Sequence, residues 1–335
     1  MRKKIIFRMI GNHDVGMGHI YRTISLADEL ADHATHFLTD VESDLAIAYF
    51  SDRFGWLGAF NRSEIGSEII SQGPDLVIFD SLDTRKEDIV PLREKGIKVV
   101  SFEDLGAGSA YTTLTINELF DVPELEGENY RWGKAFFFVR DEFLNVSPRE
   151  RPDKIQKLLL TFGGVDQHNL SQKILFQIRD LCRQTSIQVH IVTGPGYRHE
   201  ESLRRIVDAS EGVDMTHATG VISKIMAEVD LAISSNGRTV YELAHMNVPG
   251  IVIDQHPREG THHFACPENG FINLGLYNPG ATEAKVLNTL SELVTNSDRL
   301  GKLYDQTCRH NFTKAESQGV VEIKKLLVED DPSIG

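Results

Sequence analysis

Cysteine is scarce in this chain. Only Cys182, Cys266 and Cys308 occur in 335 residues, far apart and odd in number. Such a set makes neither a disulfide framework nor a zinc knuckle, and a reducing, cytoplasmic setting fits it. Long apolar runs are also missing: none approaches the roughly 18–20 residues of a membrane span. At the N-terminus, Arg2, Lys3 and Lys4 precede an apolar stretch of about seven residues that Arg8 interrupts, too short for a signal peptide and better used as a first strand. Positive charge is in deficit, with 35 Lys and Arg against 49 Asp and Glu and a formal net charge of -14. A chain this acidic has no basic patch with which to neutralise phosphates along a nucleic acid. One diphosphate remains within reach, because backbone N–H groups and a few side chains suffice to hold it.

Apolar residues make up 41% of the chain and charged residues 25%, enough for genuine cores. The length suggests two domains of roughly 150 residues each. Buried strands read at 4–10, 36–39, 74–80, 97–102 and 113–117, alternating with helices at 19–33, 44–50, 63–72 and 85–95. Residues 121–153 break this rhythm with Pro123, Gly127, Gly133, Pro148 and Pro152 around Phe136-Phe137-Phe138. A similar rhythm then resumes. Strands read at 157–162, 187–193, 213–217, 230–235 and 248–254. Helices read at 169–183, 199–209, 221–229, 239–246 and 261–268. Helices fill 282–328, and a loose polar tail follows from Glu329 to Gly335. The expectation is an α/β protein of two Rossmann-like domains, residues 1–148 and 149–328, with mostly parallel sheets facing a cleft.

The stretch Gly16-Met17-Gly18-His19-Ile20-Tyr21-Arg22 joins the first strand to the first helix. Open α/β sheets bind ligands at such loops. As a dinucleotide fingerprint it fails, because Tyr21 stands where the third glycine belongs and the loop from Gly11 is too long. Asp40 lies at the right distance for a ribose-binding acid and is the one point in favour. Gly16 and Gly18 would let a ligand approach the backbone. A helix start disfavours a cation, so His19 is expected as a neutral ring able to take a proton. The plainer alternative is a histidine that caps the helix.

Other stretches carry weaker signals. Gly163-Gly164-Val165-Asp166 repeats the strand–turn–helix pattern, although any βα turn uses glycine. In Ser234-Ser235-Asn236-Gly237-Arg238-Thr239-Val240-Tyr241-Glu242, two hydroxyls and a glycine turn at a helix start can meet phosphate. Glu242, one turn in, can reach ribose hydroxyls, or it can simply be solvated. Among His256, His262 and His263, neighbouring rings point about 100° apart on a helix and H-E-x-x-H is absent, so a sugar or phosphate suits them better than zinc. Asp80 and Asp83 are a possible Mg²⁺ pair, a pattern equally common without metal. No G-x-S-x-G supports serine hydrolysis. No metal and no cofactor is expected.

Taken together, several segments resemble the UDP-sugar hydrolases of the pseudaminic acid pathway. They are Phe7-Arg8, the G-x-G-H-x-x-R stretch 16–22, Leu76-Val77-Ile78-Phe79-Asp80, Val99-Val100-Ser101-Phe102-Glu103-Asp104, Val139-Arg140-Asp141-Glu142-Phe143, Phe162-Gly163-Gly164-Val165-Asp166 with Asn169-Leu170-Ser171, and Leu231-Ala232-Ile233-Ser234-Ser235 with Glu242. The likeness runs collinearly over roughly residues 4–275, within a group similar to the GT-B glycosyltransferases. It implies that His19 activates water against the anomeric carbon of a UDP-linked sugar, without metal. It places Gly16, Gly18, Arg22 and Asp80 on the sugar side and Gly163, Gly164 and Asp166 along the diphosphate or sugar. Ser234, Ser235 and Glu242 would hold phosphate and ribose, with His262 and His263 at a donor-contacting helix start. The chain departs at Met9-Ile10-Gly11-Asn12-His13-Asp14, where an Asp-rich stretch is usual, and at Ser81-Leu82-Asp83, where an aromatic is common. Glycosyl transfer to an acceptor hydroxyl on the same frame is the alternative, and a non-catalytic nucleotide-sugar-binding protein the second.

Overall fold

The computed structural model describes residues 2–314 and 317–328, so the expected tail at 329–335 lies outside the described residues. The described chain forms two compact units. The first comprises the residues up to Phe138 together with those from Thr313 onward; the second is Val139–Phe312.

Strands of the first unit are β1 (Lys4–Met9), β2 (Ala34–Asp40), β3 (Trp56–Phe60), β4 (Leu76–Asp80), β5 (Lys98–Phe102), β6 (Leu114–Asn117) and β7 (Tyr130–Trp132). Its helices are α1 (Gly18–Glu29), α2 (Asp44–Phe50), α3 (Arg62–Gln72) and α4 (Lys86–Glu94). The strands pair in parallel in the order β3-β2-β1-β4-β5-β6-β7. Both faces of β1 are apolar because helices cover both. Ile5, Phe7 and Met9 pack with Ile20 and Leu26 of α1, whereas Ile6 packs with Ile65 and Ile69 of α3 and Ile89 and Leu92 of α4.

The second unit holds β8 (Lys157–Thr161), β9 (Gln188–Thr193), β10 (Val213–His217), β11 (Leu231–Ser235), β12 (Gly250–Asp254) and β13 (Phe271–Leu276). Its helices are α5 (Leu170–Thr185), α6 (Glu200–Asp208), α7 (Ile222–Met226), α8 (Arg238–His245), α9 (Ala281–Thr295) and α10 (Ser297–Thr307). The sheet is again parallel, in the order β10-β9-β8-β11-β12-β13. Strand order therefore reverses between β1 and β4 in one unit and between β8 and β11 in the other. At such points in open α/β sheets the loops part and a ligand crevice opens.

The chain divides at Phe138, ten residues before the break that its prolines suggest. Residues 139–149 are tied to the second unit. Phe143 is buried, Arg140 Nε donates to Glu242 at 2.9 Å, and Arg149 Nη2 donates to Asp230 at 2.7 Å. A last helix, α11 (Gln318–Val328), serves the first unit rather than the second. Its Val320, Ile323 and Leu327 join the core around β1, and Lys98 Nζ donates to the Leu326 carbonyl at 2.6 Å.

Three further elements depart from expectation. The helix expected at 261–268 is absent: single 3-10 turns at Glu259–Thr261 and Pro267–Asn269 flank extended backbone. Gly260 and Pro267 interrupt any helical run there. Strand β13, which contains Asn273 and Gly275, was not among the expected strands; pairing with β12 makes it one. Strand β3 was hidden likewise by Gly58 at its centre.

Candidate active site

In the first unit, the chain leaves β1, crosses the glycine loop and enters α1. Gly16 has φ +78°, a conformation that glycine adopts without strain. Its N–H donates to the Asn12 carbonyl at 2.9 Å, closing the turn that delivers His19 to the second position of α1. Asp80, the last residue of β4, faces it across the strand-order reversal. His19 Nδ1 lies 2.6 Å from Asp80 Oδ1. An ionised carboxylate only accepts, so Nδ1 carries a proton, and in the corresponding neutral tautomer Nε2 carries the lone pair.

Arg22, one turn further along α1, grips the same carboxylate from the other side. Its Nε donates to Oδ2 at 2.8 Å and its Nη2 to Oδ1 at 2.5 Å. Nη1 donates to Glu118 at 2.8 Å, Glu103 lies 3.8 Å away, and the guanidinium sits over the Phe102 ring at 4.6 Å. Although desolvation opposes the charge, Arg22 and His19 hold the Asp80 carboxyl well below the usual carboxylate range. Arg22 is raised above its ordinary value by Asp80 and Glu103, also against desolvation.

These contacts revise two expectations. Arg22 is 2% exposed and Asp80 1%, and each is committed to neighbouring side chains, so neither is placed to touch a substrate. Asp80 meets His19, and Arg22 meets Asp80. Of the possible metal pair, Asp80 is engaged as described and Asp83 accepts the Leu105 N–H at 3.0 Å.

The second unit offers two helix starts, and they differ. After β8, Gly163 turns at φ +75° and Asp166 folds back on α5. Its two oxygens accept the Leu170 and Ser171 N–H groups at 2.6 and 2.8 Å. Burial raises this carboxyl above its ordinary range despite those donors. Asp166, expected to line the diphosphate or sugar, caps its own helix. Asp166→Ala is expected to lower stability by about 1–2 kcal/mol, read by chemical denaturation.

The start of α8 has no such cap among the described residues: Gly237, which has no side chain, stands at the cap position, and the first turn holds no acid. Ser234 and Ser235 end β11 beside it, both buried. Ser234 Oγ has no hydrogen-bond partner among the described residues, nor has Gln255 Oε1. A virtual Cβ on Gly163 would sit 3.8 Å from Ser235 Oγ, so the glycine turn lies against this hydroxyl. Glu242 is 6% exposed and its Oε1 accepts from Arg140 at 2.9 Å, an ion pair rather than a solvated carboxylate.

Between α8 and the loop after β12 lies a network that sequence reasoning missed. The Asn236 amide reaches Asp254 Oδ1 at 2.9 Å and the carbonyls of Glu259 and His262 at 2.8 and 2.9 Å. His262 Nδ1 donates to the Asn236 carbonyl at 2.8 Å, and burial pushes its ring down to about 4. His262 is therefore a neutral, buried brace, while His263 is exposed. Glu259 accepts the Gln255 N–H at 2.6 Å, and burial pushes its carboxyl up to about 7. The folded state thus holds this proton more tightly than the unfolded state, where Glu titrates near 4.5. As pH rises from about 4.5 to about 7, this group withdraws up to about 3 kcal/mol of stability. Glu259→Gln should flatten that decline in denaturation midpoints taken across the window.

Missed in the first unit were Glu103 and Glu118, and in the second Asn236, Asp254, Gln255, Glu259 and Arg140. Most share one legible sign: a polar residue at or just after the carboxyl end of a buried strand.

Residues 158–318 match the model of the glycosyltransferase family 28 C-terminal domain. The chain is 27% identical over 271 residues to the uncharacterized protein MJ1062 of Methanocaldococcus jannaschii, covering 75% of this chain and 56% of that one. It thus spans little more than half the length of that relative. It is 25% identical over 247 residues to the UDP-2,4-diacetamido-2,4,6-trideoxy-beta-L-altropyranose hydrolase of Campylobacter jejuni, covering 71% of this chain and 87% of that enzyme. Among solved structures, MurG of Acinetobacter baumannii aligns with a TM-score of 0.67 at 14% identity, over 96% of this chain and 99% of that one. The fold is GT-B-like. No helix among the described residues is long and apolar enough to cross a membrane.

Proposed function

We propose that the protein hydrolyses a UDP-activated amino or deoxy sugar to UDP and the free sugar, a step suited to surface polysaccharide or nonulosonic acid synthesis. The observation that carries this reading is the His19–Asp80 pair at the strand-order reversal. It fixes the Nδ1–H tautomer and leaves Nε2 to accept a proton. In the proposed step, Nε2 takes a proton from water as its oxygen bonds to the anomeric carbon. The bond from that carbon to the diphosphate oxygen breaks, and its electron pair leaves with UDP. The start of α8, with Ser234 and Ser235 beside it and no acid in its first turn, is assigned the diphosphate, because the helix dipole favours an anion there. Glu242 is assigned the ribose hydroxyls, with Gly163 and Gly164 beside the phosphates and His263 at the exposed side. No metal ion is assigned a step. Similarity to the Campylobacter hydrolase supports water as acceptor.

Transfer to an acceptor hydroxyl is the second reading, favoured by the match to the family 28 glycosyltransferase domain. A panel of UDP-, TDP- and GDP-sugars, followed by NMR for free nucleoside diphosphate, separates the two. Release of UDP without acceptor, unaffected by chelator, supports hydrolysis. Release only with an added acceptor supports transfer. Binding without turnover contradicts both.

A further inference from the structure

We infer that Arg22, gripped by Glu118, is a positioning residue that lets Asp80 orient the His19 ring while cancelling the carboxylate's pull on a proton there. The inference rests on the reading of His19 as a base. A carboxylate within about 4–6 Å of a histidine favours the imidazolium by roughly 1–3 pH units. Left alone, Asp80 would fix the ring and also favour the protonated form, which has no lone pair to offer. Arg22 answers that conflict through geometry. Residues 19 and 22 lie one turn apart on the same face of α1, and the guanidinium places one N–H on each Asp80 oxygen.

The charges facing this pair come from several elements. Asp80 stands at the end of β4, Glu103 just after β5 and Glu118 just after β6, all buried, with Arg22 on α1 itself. The loop before α1 adds His13, 3.7 Å from Asp44 and partly exposed, and the exposed Asp14. One buried guanidinium thus faces three buried carboxylates. Glu118 accepts its remaining Nη1 branch at 2.8 Å, which stops the fork from turning away from Asp80. Lysine would be a poor substitute, since a point charge cannot hold two carboxylates in a fixed fork.

The test reads the ring directly. In the full-length protein without substrate, ¹⁵N-histidine labelling and long-range proton–nitrogen spectra follow His19 against pH, with His19→Gln identifying its signals. Arg22→Gln is expected to move the ring's midpoint up by about one pH unit, and Glu118→Gln to move it down. Arg22→Gln combined with Asp80→Asn returns it toward the wild-type position. A merely structural arginine would leave the midpoint in place. An unmoved midpoint in Arg22→Gln, or an upward shift in Glu118→Gln, overturns the inference. Should Arg22→Gln fail to fold, Glu118→Gln differs by a single polar atom and still decides the sign. The acid limb of kcat/KM should follow these shifts. If the midpoints move and the rate profile does not, the positioning stands and the base assignment falls.

Discussion

His19→Gln is expected to lower kcat of the proposed UDP-sugar hydrolysis by about 10²–10⁴-fold, the usual worth of a positioned general base, with UDP affinity nearly unchanged. Glutamine suits the test. His19 is 8% exposed, so a smaller side chain would open a gap, whereas the glutamine amide can still donate to Asp80 Oδ1. What it cannot do is take a proton from water. The nucleotide is assigned to residues of the other unit, from Ser234 to Glu242, which the substitution does not touch. The loss should therefore fall on kcat and leave the dissociation constant of UDP, measured by calorimetry, in place. A variant that keeps the wild-type rate would remove His19 from the mechanism.

Asp80→Ala is expected to lower stability by about 3–5 kcal/mol, the cost of breaking a buried ion pair from one side. Two Arg22 N–H groups lose their acceptor where water does not reach, and His19 Nδ1 loses its own. Asp80→Asn keeps one acceptor and the shape, and should cost less. The pair also sets a limit at low pH. The folded Asp80 carboxyl titrates below its unfolded range, so its contribution is complete above about pH 4 and is lost as pH falls through the folded value. Urea denaturation at pH 7 and pH 3 measures both effects. A loss at pH 7 below about 1 kcal/mol for Asp80→Ala would show that the network contributes little to the fold.

Local signals in the sequence carried the elements around this site. The apolar run of β1, the glycine turn and the helical spacing of Ile20, Ala27 and Leu30 are all short-range patterns, and His19 was legible among them. Asp80 was legible as a carboxylate closing a buried strand, but its meeting with His19 was not. That contact depends on β4 pairing with β1 rather than with β3, a choice made by packing between segments about seventy residues apart in sequence. Arg22 shows the same limit from another side. Spacing places it on the face of His19, yet only the buried Glu118 and Asp80 turn it inward. Asp166 looked like a ligand residue because it follows two glycines, and it caps α5 because the chain bends back at Asn169. The proline-rich stretch near 148 suggested a boundary, whereas the chain divides at Phe138, and Arg140, before that stretch, pairs with Glu242 of the second unit.

Attack of water on the anomeric carbon is the central claim, and the fate of the water oxygen tests it most directly. Hydrolysis of a turned-over UDP-sugar is run in ¹⁸O-water and both products are weighed by mass spectrometry. The account predicts the label in the free sugar, at its anomeric hydroxyl, and none in UDP. Label in the terminal phosphate of UDP, which means cleavage on the phosphorus side, would contradict it.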